Sequence, residues 1–415
     1  DIYFFSGEFG SDTIDNTDAE DNQDDGIDTI VFAESSEINL EDISFYKYGN
    51  DLSIYESGTA NRVSIYSFFT DTKYWVENIR FSNGTESLLI NLITSGVIKQ
   101  TGDHYENTLN GSEYSDEIYG YGHHDILNGY DGSDHLYGGT SNDALNGGEG
   151  DDFLYGQEND DTLKGGNGND QYIFSGNFAH DTIDNQSDVG TIDDGIDTIV
   201  FADDLSATID KVIFYKSGNN LDIKISGRDD YVTIASWFIE EKYKLERIRF
   251  SGGEERDLLE LVSSELRQDG DAYQNTINGT EYKDLIYGYA HHDILNGYGE
   301  SDRLYGGTSN DTLNGGEGGD FLYGQENEDS LYGEAGNDYL EGGSGNDTLK
   351  GGDGGDIYFF SGEFGSDTID NTDDEDNQDD GIDTILFSDL KVGDTRFSQS
   401  GNNLVITIPG TSSQV

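Results

Sequence analysis

The stretch that decides the fold is residues 279–359, which reads as nine consecutive nonapeptides without insertion or deletion. Its clearest unit is GGSGNDTLK at residues 342–350, of the form G-G-x-G-x-D-x-U-x, in which U is a large apolar residue. All nine units have Gly at position 1, Asp at position 6 and a large, mostly aliphatic residue at position 8. Seven more units occupy residues 111–173 in the same frame. This period predicts a repeat architecture in which neighbouring units stack.

Each position of the nonapeptide favours calcium binding. Glycines at positions 1, 2 and 4 allow φ > 0, so the chain turns tightly and aims its carbonyls at one point. Asp at position 6 adds a carboxylate, and a flexible set of oxygen ligands suits calcium better than magnesium. The x-U-x triplet is a short strand with one inward apolar side chain. The alternative, a disordered Gly/Asp-rich linker, does not account for an apolar residue at every ninth position.

These residues resemble the RTX (repeats-in-toxin, haemolysin-type calcium-binding) family. The resemblance implies an all-β fold with two right-handed parallel β-rolls, each turn made of two nonapeptides. It also implies that one calcium ion is shared by the Asp of one unit and the Asp two units later, as in Asp116 with Asp134 and Asp311 with Asp329. Five such pairs in the first roll and seven in the second imply about twelve Ca²⁺ ions. The candidate metal ligands are the position-6 aspartates Asp116, Asp125, Asp134, Asp143, Asp152, Asp161, Asp170, Asp284, Asp293, Asp302, Asp311, Asp320, Asp329, Asp338, Asp347 and Asp356.

The composition narrows the class of protein. The formal net charge is −65; about twelve calcium ions would cancel 24 of these charges and leave about −41. Such acidity argues against nucleic acid and against anionic lipid as partners. There is no Cys, so disulfide bonds cannot stabilise the fold. In an extracellular chain we therefore expect a bound metal to stabilise it instead. No apolar run is long enough to span a membrane. No signal peptide is visible and there is no Met, so we expect a piece of a larger protein.

A longer repeat organises the chain into five segments. The sequence of residues 1–16 returns at residues 356–371, and a diverged copy starts at Asp170. Each copy leads out of a nonapeptide array through a D-x-Y-x-F sequence. We therefore predict a linking and capping domain (1–101), a roll (102–173), a second linking domain (174–269), a second roll (270–359) and a truncated linking domain (360–415).

The linking domains are predicted to be small and mainly β. Residues 29–32, 44–46, 52–55 and 63–66 alternate apolar and polar residues, and we expect the pattern to continue through residues 68–69, 74–75 and 79–81. A GN[DN]L turn, a VxI strand, a [WF]F pair and an IRF strand occur in both complete copies. These features resemble the haemolysin-type calcium-binding-related domain.

Three kinds of short segment lie outside the regular nonapeptides. Residues 87–97 and 258–266 have helical spacing, and we interpret each helix as a cap on the following roll. The weak units at 102–110 and 270–278 carry Asn107 and Asn275 at position 6, so we expect them to pack without binding an ion. The acidic segment 15–28 is interpreted as a solvated loop, with an additional calcium site as the alternative.

Few residues suggest other chemistry. The pairs His123–His124 and His291–His292 lack the further ligands of a zinc site, so we interpret them as replacements for Gly at a φ > 0 position. Tyrosines recur at position 9 and predict an outward stacked ladder, with sugar binding as an alternative role. These tyrosines are Tyr119, Tyr137, Tyr155, Tyr287, Tyr305, Tyr323 and Tyr332. No hydrolase, metalloprotease, P-loop or dinucleotide motif occurs, so we predict no enzymatic activity.

The sequence therefore predicts the calcium-binding region of a large secreted bacterial protein of the toxin or adhesin type. Family resemblance implies that the parent protein leaves the cell through type I secretion machinery and folds on extracellular calcium. Two alternatives remain: an adhesin or glycan-binding module that contacts a host-cell surface, and the non-catalytic C-terminal region of a secreted enzyme.

Overall fold

The computed structural model describes residues 1–15, 27–33, 38–70, 75–185, 195–239, 244–371, 381–388, 390 and 394–415. These residues are almost entirely β, as predicted. They form two compact units, one of residues 1–212 with 219–258 and one of residues 213–218 with 259–415. None of the described helices is long and apolar enough to cross a membrane.

The strands of the first linking segment are short. They are β1 (Ile2–Phe5), β2 (Ser11–Ile14), β3 (Thr29–Phe32), β4 (Ile43–Tyr48), β5 (Asp51–Glu56), β6 (Arg62–Ile65), β7 (Asn78–Arg80), β8 (Glu86–Leu88) and β9 (Ile98–Thr101), with helix α1 (Leu89–Ser95) after β8. The first roll follows as β10 (Thr108–Asn110), β11 (Asp116–Gly122), β12 (Ile126–Asp131), β13 (His135–Thr140), β14 (Ala144–Glu149), β15 (Phe153–Glu158), β16 (Thr162–Asn167) and β17 (Gln171–Phe174).

The same order recurs along the rest of the chain. The second linking segment contains β18 (His180–Ile183), β19 (Thr198–Phe201), β20 (Val212–Ser217), β21 (Asn220–Ile225), β22 (Tyr231–Ile234), β23 (Arg247–Arg249), β24 (Glu255–Asp257), α2 (Leu258–Ser264) and β25 (Leu266–Asp269). The second roll contains β26 (Thr276–Thr280), β27 (Asp284–Ala290), β28 (Ile294–Tyr298), β29 (Arg303–Thr308), β30 (Thr312–Glu317), β31 (Phe321–Glu326), β32 (Ser330–Ala335), β33 (Tyr339–Ser344), β34 (Thr348–Asp353) and β35 (Ile357–Phe360). Beyond it lie β36 (Thr368–Ile369), β37 (Thr384–Phe387), β38 (Arg396–Ser400) and β39 (Asn403–Thr407).

Successive nonapeptides of a roll alternate between two parallel sheets. In the first roll β11, β13, β15 and β17 form one sheet edge to edge, while β10, β12, β14 and β16 form the other. Leu127 therefore pairs with Leu145, eighteen residues later, and in the second roll Leu295 pairs with Leu313. The register confirms two nonapeptides per turn.

The core of each roll is the column of position-8 side chains. From Ile118 to Leu163 and from Ile286 to Leu349 these residues are fully buried, and Tyr172 and Tyr358 end the two columns at no more than 1% exposed. Their strand neighbours at positions 7 and 9 point the other way and are half-buried or exposed. A strand of this length buries one large apolar side chain, so the roll depends on stacking for its stability.

The parallel ladders continue into the linking segments. β9 pairs with β11, β17 pairs with β19 and β19 with β23, and β25 pairs with β27. The predicted helices are confirmed as α1 and α2, and α1 buries Leu89 and Ile93; their capping role stays a prediction. The expected strand at residues 68–69 is wrong, because the chain turns there. Phe68 is instead fully buried and stacks on Trp75 at 5.5 Å.

Candidate metal centre

The sixteen position-6 aspartates are buried. Each is no more than 3% exposed, although Asp is among the residues least often found inside proteins without a partner. Position 6 ends the loop of each nonapeptide, immediately before the buried apolar strand. The short loop therefore holds the carboxylate against the edge of the core.

Stacking brings these aspartates into two rows per roll. Within a row, the backbone N–H of one Asp donates to Oδ1 of the Asp eighteen residues later, as from Asp116 to Asp134 at 2.7 Å and from Asp311 to Asp329 at 2.8 Å. The same contact joins all five pairs expected in the first roll and all seven expected in the second. The structure thus brings together the residue pairs that the sequence proposed.

Most of these carboxylates keep one oxygen without a hydrogen bond. The buried Oδ2 atom lacks a partner in Asp125, Asp134, Asp143, Asp152, Asp161, Asp293, Asp302, Asp311, Asp320, Asp329, Asp338 and Asp347. A buried anionic oxygen without compensation is costly. A cation beside the row removes this cost, so the residues present fit a metal ion.

The turn geometry places backbone carbonyls beside the free oxygens. A Cβ added to Gly129 at position 1 would lie 2.1 Å from Oδ2 of Asp134 and 2.6 Å from the carbonyl oxygen of Gly147 in the next turn. A carboxylate oxygen and a carbonyl oxygen therefore converge where only Gly fits. Among the described residues no group of three or more His, Cys, Asp or Glu side chains is placed to hold a metal. An ion here would draw on paired aspartates plus carbonyls, a donor set that suits calcium.

In most of the loops, positions 2 and 4 adopt φ > 0 even where they are not Gly. Tyr121 has φ of 76° and Asn159 has φ of 77°. His123 and His291 have φ of 66° and 69°, which confirms that they replace Gly at a left-handed position. The following residues, His124 and His292, place Nδ1 2.9 Å from a backbone carbonyl oxygen of the next turn.

Burial and mutual repulsion make the rows poor places for unneutralised charge. The pKa of Asp134 is raised to about 7 and that of Asp161 to about 8, mainly by burial and in addition by neighbouring aspartates. The pKa of Asp152 is raised to about 9, mainly by burial and then by Asp170 and Asp134. Either protons or a metal must compensate these carboxylates in the folded state.

The first Asp of each roll is compensated by the protein itself. Oδ2 of Asp116 accepts hydrogen bonds from the backbone N–H and hydroxyl of Ser112 at 2.7 and 2.9 Å. The buried ammonium of Lys47 donates to the carbonyl oxygen of Asn110 and attracts the charge of Asp116.

The second roll repeats this arrangement. Lys216 donates to the carbonyl oxygen of Asn278 at 2.6 Å and attracts Asp284, whose Oδ2 accepts from Thr280. Sequence reasoning missed both lysines. The available signal was their common place two residues before a Gly-Asn turn.

Sequence reasoning also missed aspartates that follow the last nonapeptides. The N–H of Asp161 donates to Oδ1 of Asp181 at 2.8 Å, and the N–H of Asp347 donates to Oδ1 of Asp367 at 3.0 Å. A two-residue insertion hides Asp181 and Asp367 from a strict nine-residue frame. In the other row of each roll, the last Asp bonds Oδ1 of Asp197 or Asp383.

The predicted non-binding units show a different pattern. Oδ1 of Asn107 accepts from the N–H of Asp103 at 2.9 Å, and its own N–H donates to Oδ1 of Asp125 at 2.7 Å. Asn275 repeats both contacts. A neutral amide thus begins the second row of each roll.

Most of the acidic segment 15–28 lies outside the described residues.

The position-9 tyrosines stack as predicted, with one exception. Tyr137 lies 4.6 Å from Tyr119 and 4.5 Å from Tyr155, ring centroid to centroid. Tyr287, Tyr305 and Tyr323 stack at 4.8 and 4.7 Å. Tyr332 does not belong to this ladder, because it lies on the other sheet between Asn314 and Lys350. Only every second unit contributes to one ladder.

The fold and the site define a calcium-binding parallel β-solenoid. The family model described as the RTX calcium-binding nonapeptide repeat (4 copies) matches residues 101–136, 137–172, 269–304, 297–331, 323–358 and 332–369. The haemolysin-type calcium binding protein related domain matches residues 220–255. The chain therefore contains RTX calcium-binding nonapeptide repeats in both rolls and a haemolysin-type calcium-binding-related domain between them. No curated protein matches the chain significantly.

Proposed function

We propose that the sixteen position-6 aspartates bind about twelve calcium ions between stacked turns, and that this binding folds the rolls. The observation that supports the proposal is the run of buried Oδ2 atoms without partners, which lie beside converging carbonyls. The rows repel themselves until a cation arrives, so the binding free energy becomes folding free energy. Each ion bridges two turns and orders half of the next site, so binding should be cooperative.

The test is a calcium titration of the full 415-residue chain in which far-ultraviolet circular dichroism is recorded at each calcium concentration. We expect the β signal and the melting temperature to rise together, with a midpoint near 10⁻⁴–10⁻³ M calcium, as in other extracellular calcium modules. Magnesium at the same concentration serves as the control and should have little effect. At pH 8.5, where the buried rows carry charge, a fully formed β signal in EDTA that calcium leaves unchanged would refute the proposal.

We further propose that the chain is a non-catalytic part of a large secreted protein of the toxin or adhesin type. Its RTX repeats support this role, since they are typical of secreted proteins. Low cytosolic calcium would leave the acidic rows extended, so the chain would stay unfolded for type I export. The family resemblance implies that the export signal lies at the C-terminus of the parent protein. Deleting that end should therefore trap the protein in the cell. Continued secretion would contradict the route.

A glycan-binding role is the second candidate, and the tyrosine ladders favour it. Three parallel rings spaced by about 4.5–4.8 Å lie along one face of each roll. The stacked rings cover one another's faces, and a tyrosine hydroxyl can both donate to and accept from the hydroxyl groups of a sugar. A glycan array probed in calcium, with Tyr137→Ser as the matched variant, separates this role from simple calcium-driven folding.

A further inference from the structure

Asp181 and Asp367 lie beyond the nonapeptides but continue one row of each roll. Oδ1 of each accepts the N–H of the preceding row member at 2.8 or 3.0 Å. Contacts within the rows measure between 2.7 and 2.9 Å. The backbone-to-carboxylate contact of the roll is thus repeated one turn beyond the last regular pair.

The strand after each of these aspartates also keeps the register of the roll. Leu163 pairs with Ile183 and Leu349 with Ile369, and Ile183 extends the buried apolar column. The spacing is twenty residues instead of eighteen, so the loop before the Asp absorbs two extra residues.

That loop ends in the conformation of a nonapeptide loop. The second residue before the Asp has φ > 0, as position 4 has: 55° at Ala179 and 81° at Gly365. A left-handed Ala is strained and persists only where the surrounding structure requires it. The insertion therefore changes the start of the loop and preserves the end that positions the carboxylate.

Each added Asp presents a buried oxygen without a partner. Asp181 is fully buried and Asp367 is 5% exposed, and Oδ2 of both lacks a hydrogen bond. The facing members of the rows, Asp161 and Asp347, also have an Oδ2 without a partner. Two buried carboxylates with free oxygens thus face each other, as the paired aspartates inside the roll do.

A carboxylate near Asp181 has its own cation in the protein. Asp230 lies close enough to Asp181 to raise its pKa, and Nε of Arg228 donates to Oδ2 of Asp230 at 2.7 Å. Arg228 thus neutralises Asp230. The free oxygens between Asp161 and Asp181 are left to an external cation.

We propose that Asp161 with Asp181, and Asp347 with Asp367, each bind one additional calcium ion where a roll passes into the segment after it. This rests on the proposed function of the rolls as calcium sites and adds two ions to the count. Such an ion fastens the following segment to the last turn of the roll, so folding of the roll and of the start of that segment become coupled.

The experiment counts calcium bound by the full chain, using equilibrium dialysis against buffered calcium and elemental analysis. The test variant is Asp181→Asn with Asp367→Asn, since Asn keeps the Oδ1 acceptor for the row and removes the charge. The matched control is Asp12→Asn, because Asp12 occupies the same F-G-S-D-T-I-D motif as Asp367 but is exposed. Anomalous diffraction from calcium-loaded wild-type crystals locates the ions independently of any variant.

We expect the double variant to bind two ions fewer than the wild type and Asp12→Asn to bind the same number. Anomalous peaks should lie between Asp161 and Asp181 and between Asp347 and Asp367. An unchanged count, or crystals with ions in the rolls and none at these positions, would overturn this inference while leaving the proposed function intact. A wild-type chain that binds no calcium would overturn both.

Discussion

Leu313 and Thr312 are neighbours in β30 with opposite environments, and they test the reading frame of the repeat. Leu313 is fully buried in the apolar column, whereas Thr312 points away from it. We expect Leu313→Asp to destabilise the calcium-bound roll by at least about 3 kcal/mol, because it removes apolar burial and desolvates a charge. Thr312→Asp should stay within about 0.5 kcal/mol of wild type. Urea unfolding in saturating calcium measures both, and equal losses would contradict the frame.

Lys47 supplies a built-in cation at the start of the first roll, where it faces Asp116. Lys47→Met keeps the apolar stem, removes the positive charge near Asp116 and leaves the carbonyl of Asn110 without this donor. We expect a loss of about 1.5–3 kcal/mol in the stability of the first turns. Hydrogen exchange in β9–β11 reports the change locally. Lys211→Met is the control, since Lys211 is exposed, and protection lost equally in both variants would argue against the role of Lys47.

The tyrosine ladder is a property of one sheet of each roll, so its contribution is argued for the element as a whole. Tyr305 stacks on Tyr287 and Tyr323, whereas Tyr332 on the other sheet has Asn314 and Lys350 as its strand partners. Two aromatic pairs contribute about 1–3 kcal/mol beyond area burial. We therefore expect Tyr305→Thr to lower the urea midpoint clearly more than Tyr332→Thr does. A larger effect at Tyr332 would show that stacking adds little to the roll.

The elements also show how far the sequence predicts this structure. A nine-residue period with one apolar position determines the two-sheet roll, its register and the rows of aspartates, because each unit has one way to bury its side chain. The sequence did not predict Asp181 as a site residue, because its contact depends on a loop that is two residues longer than the nine-residue period allows. It did not predict Lys47 either, because the partner of Lys47, Asn110, is 63 residues away in sequence. Tyr332 was misassigned because position 9 alone does not say which sheet a unit joins.

At the scale of the whole molecule, the net charge of −65 opposes compaction, and the buried rows concentrate that repulsion. Protons and calcium are alternative ways to relieve it. Burial is the main cause that raises the pKa of aspartates in these rows above the ordinary value of 3.8, to about 7 for Asp134, about 9 for Asp152 and about 8 for Asp302 and Asp329. A raised pKa in the folded state means that the fold binds protons more tightly than the unfolded chain does.

The calcium-free rolls should consequently be most stable in acid. The contribution of protonation is complete below about pH 4 and is lost as the pH rises through the folded pKa values, between about 6 and 9. In EDTA we expect more β signal and a higher melting temperature at pH 5 than at pH 8.5. Calcium should add little at pH 5 and much at pH 8.5, with its midpoint falling to lower concentration as the pH rises. Circular dichroism across this range measures both trends.

Asp152→Asn imitates a protonated carboxyl, so it should stabilise the calcium-free chain at pH 8.5, while the same change at the exposed Asp131 should not. A calcium-free β signal that grows with pH would show that the buried rows do not govern folding, because the opposite sign follows from every raised pKa in them.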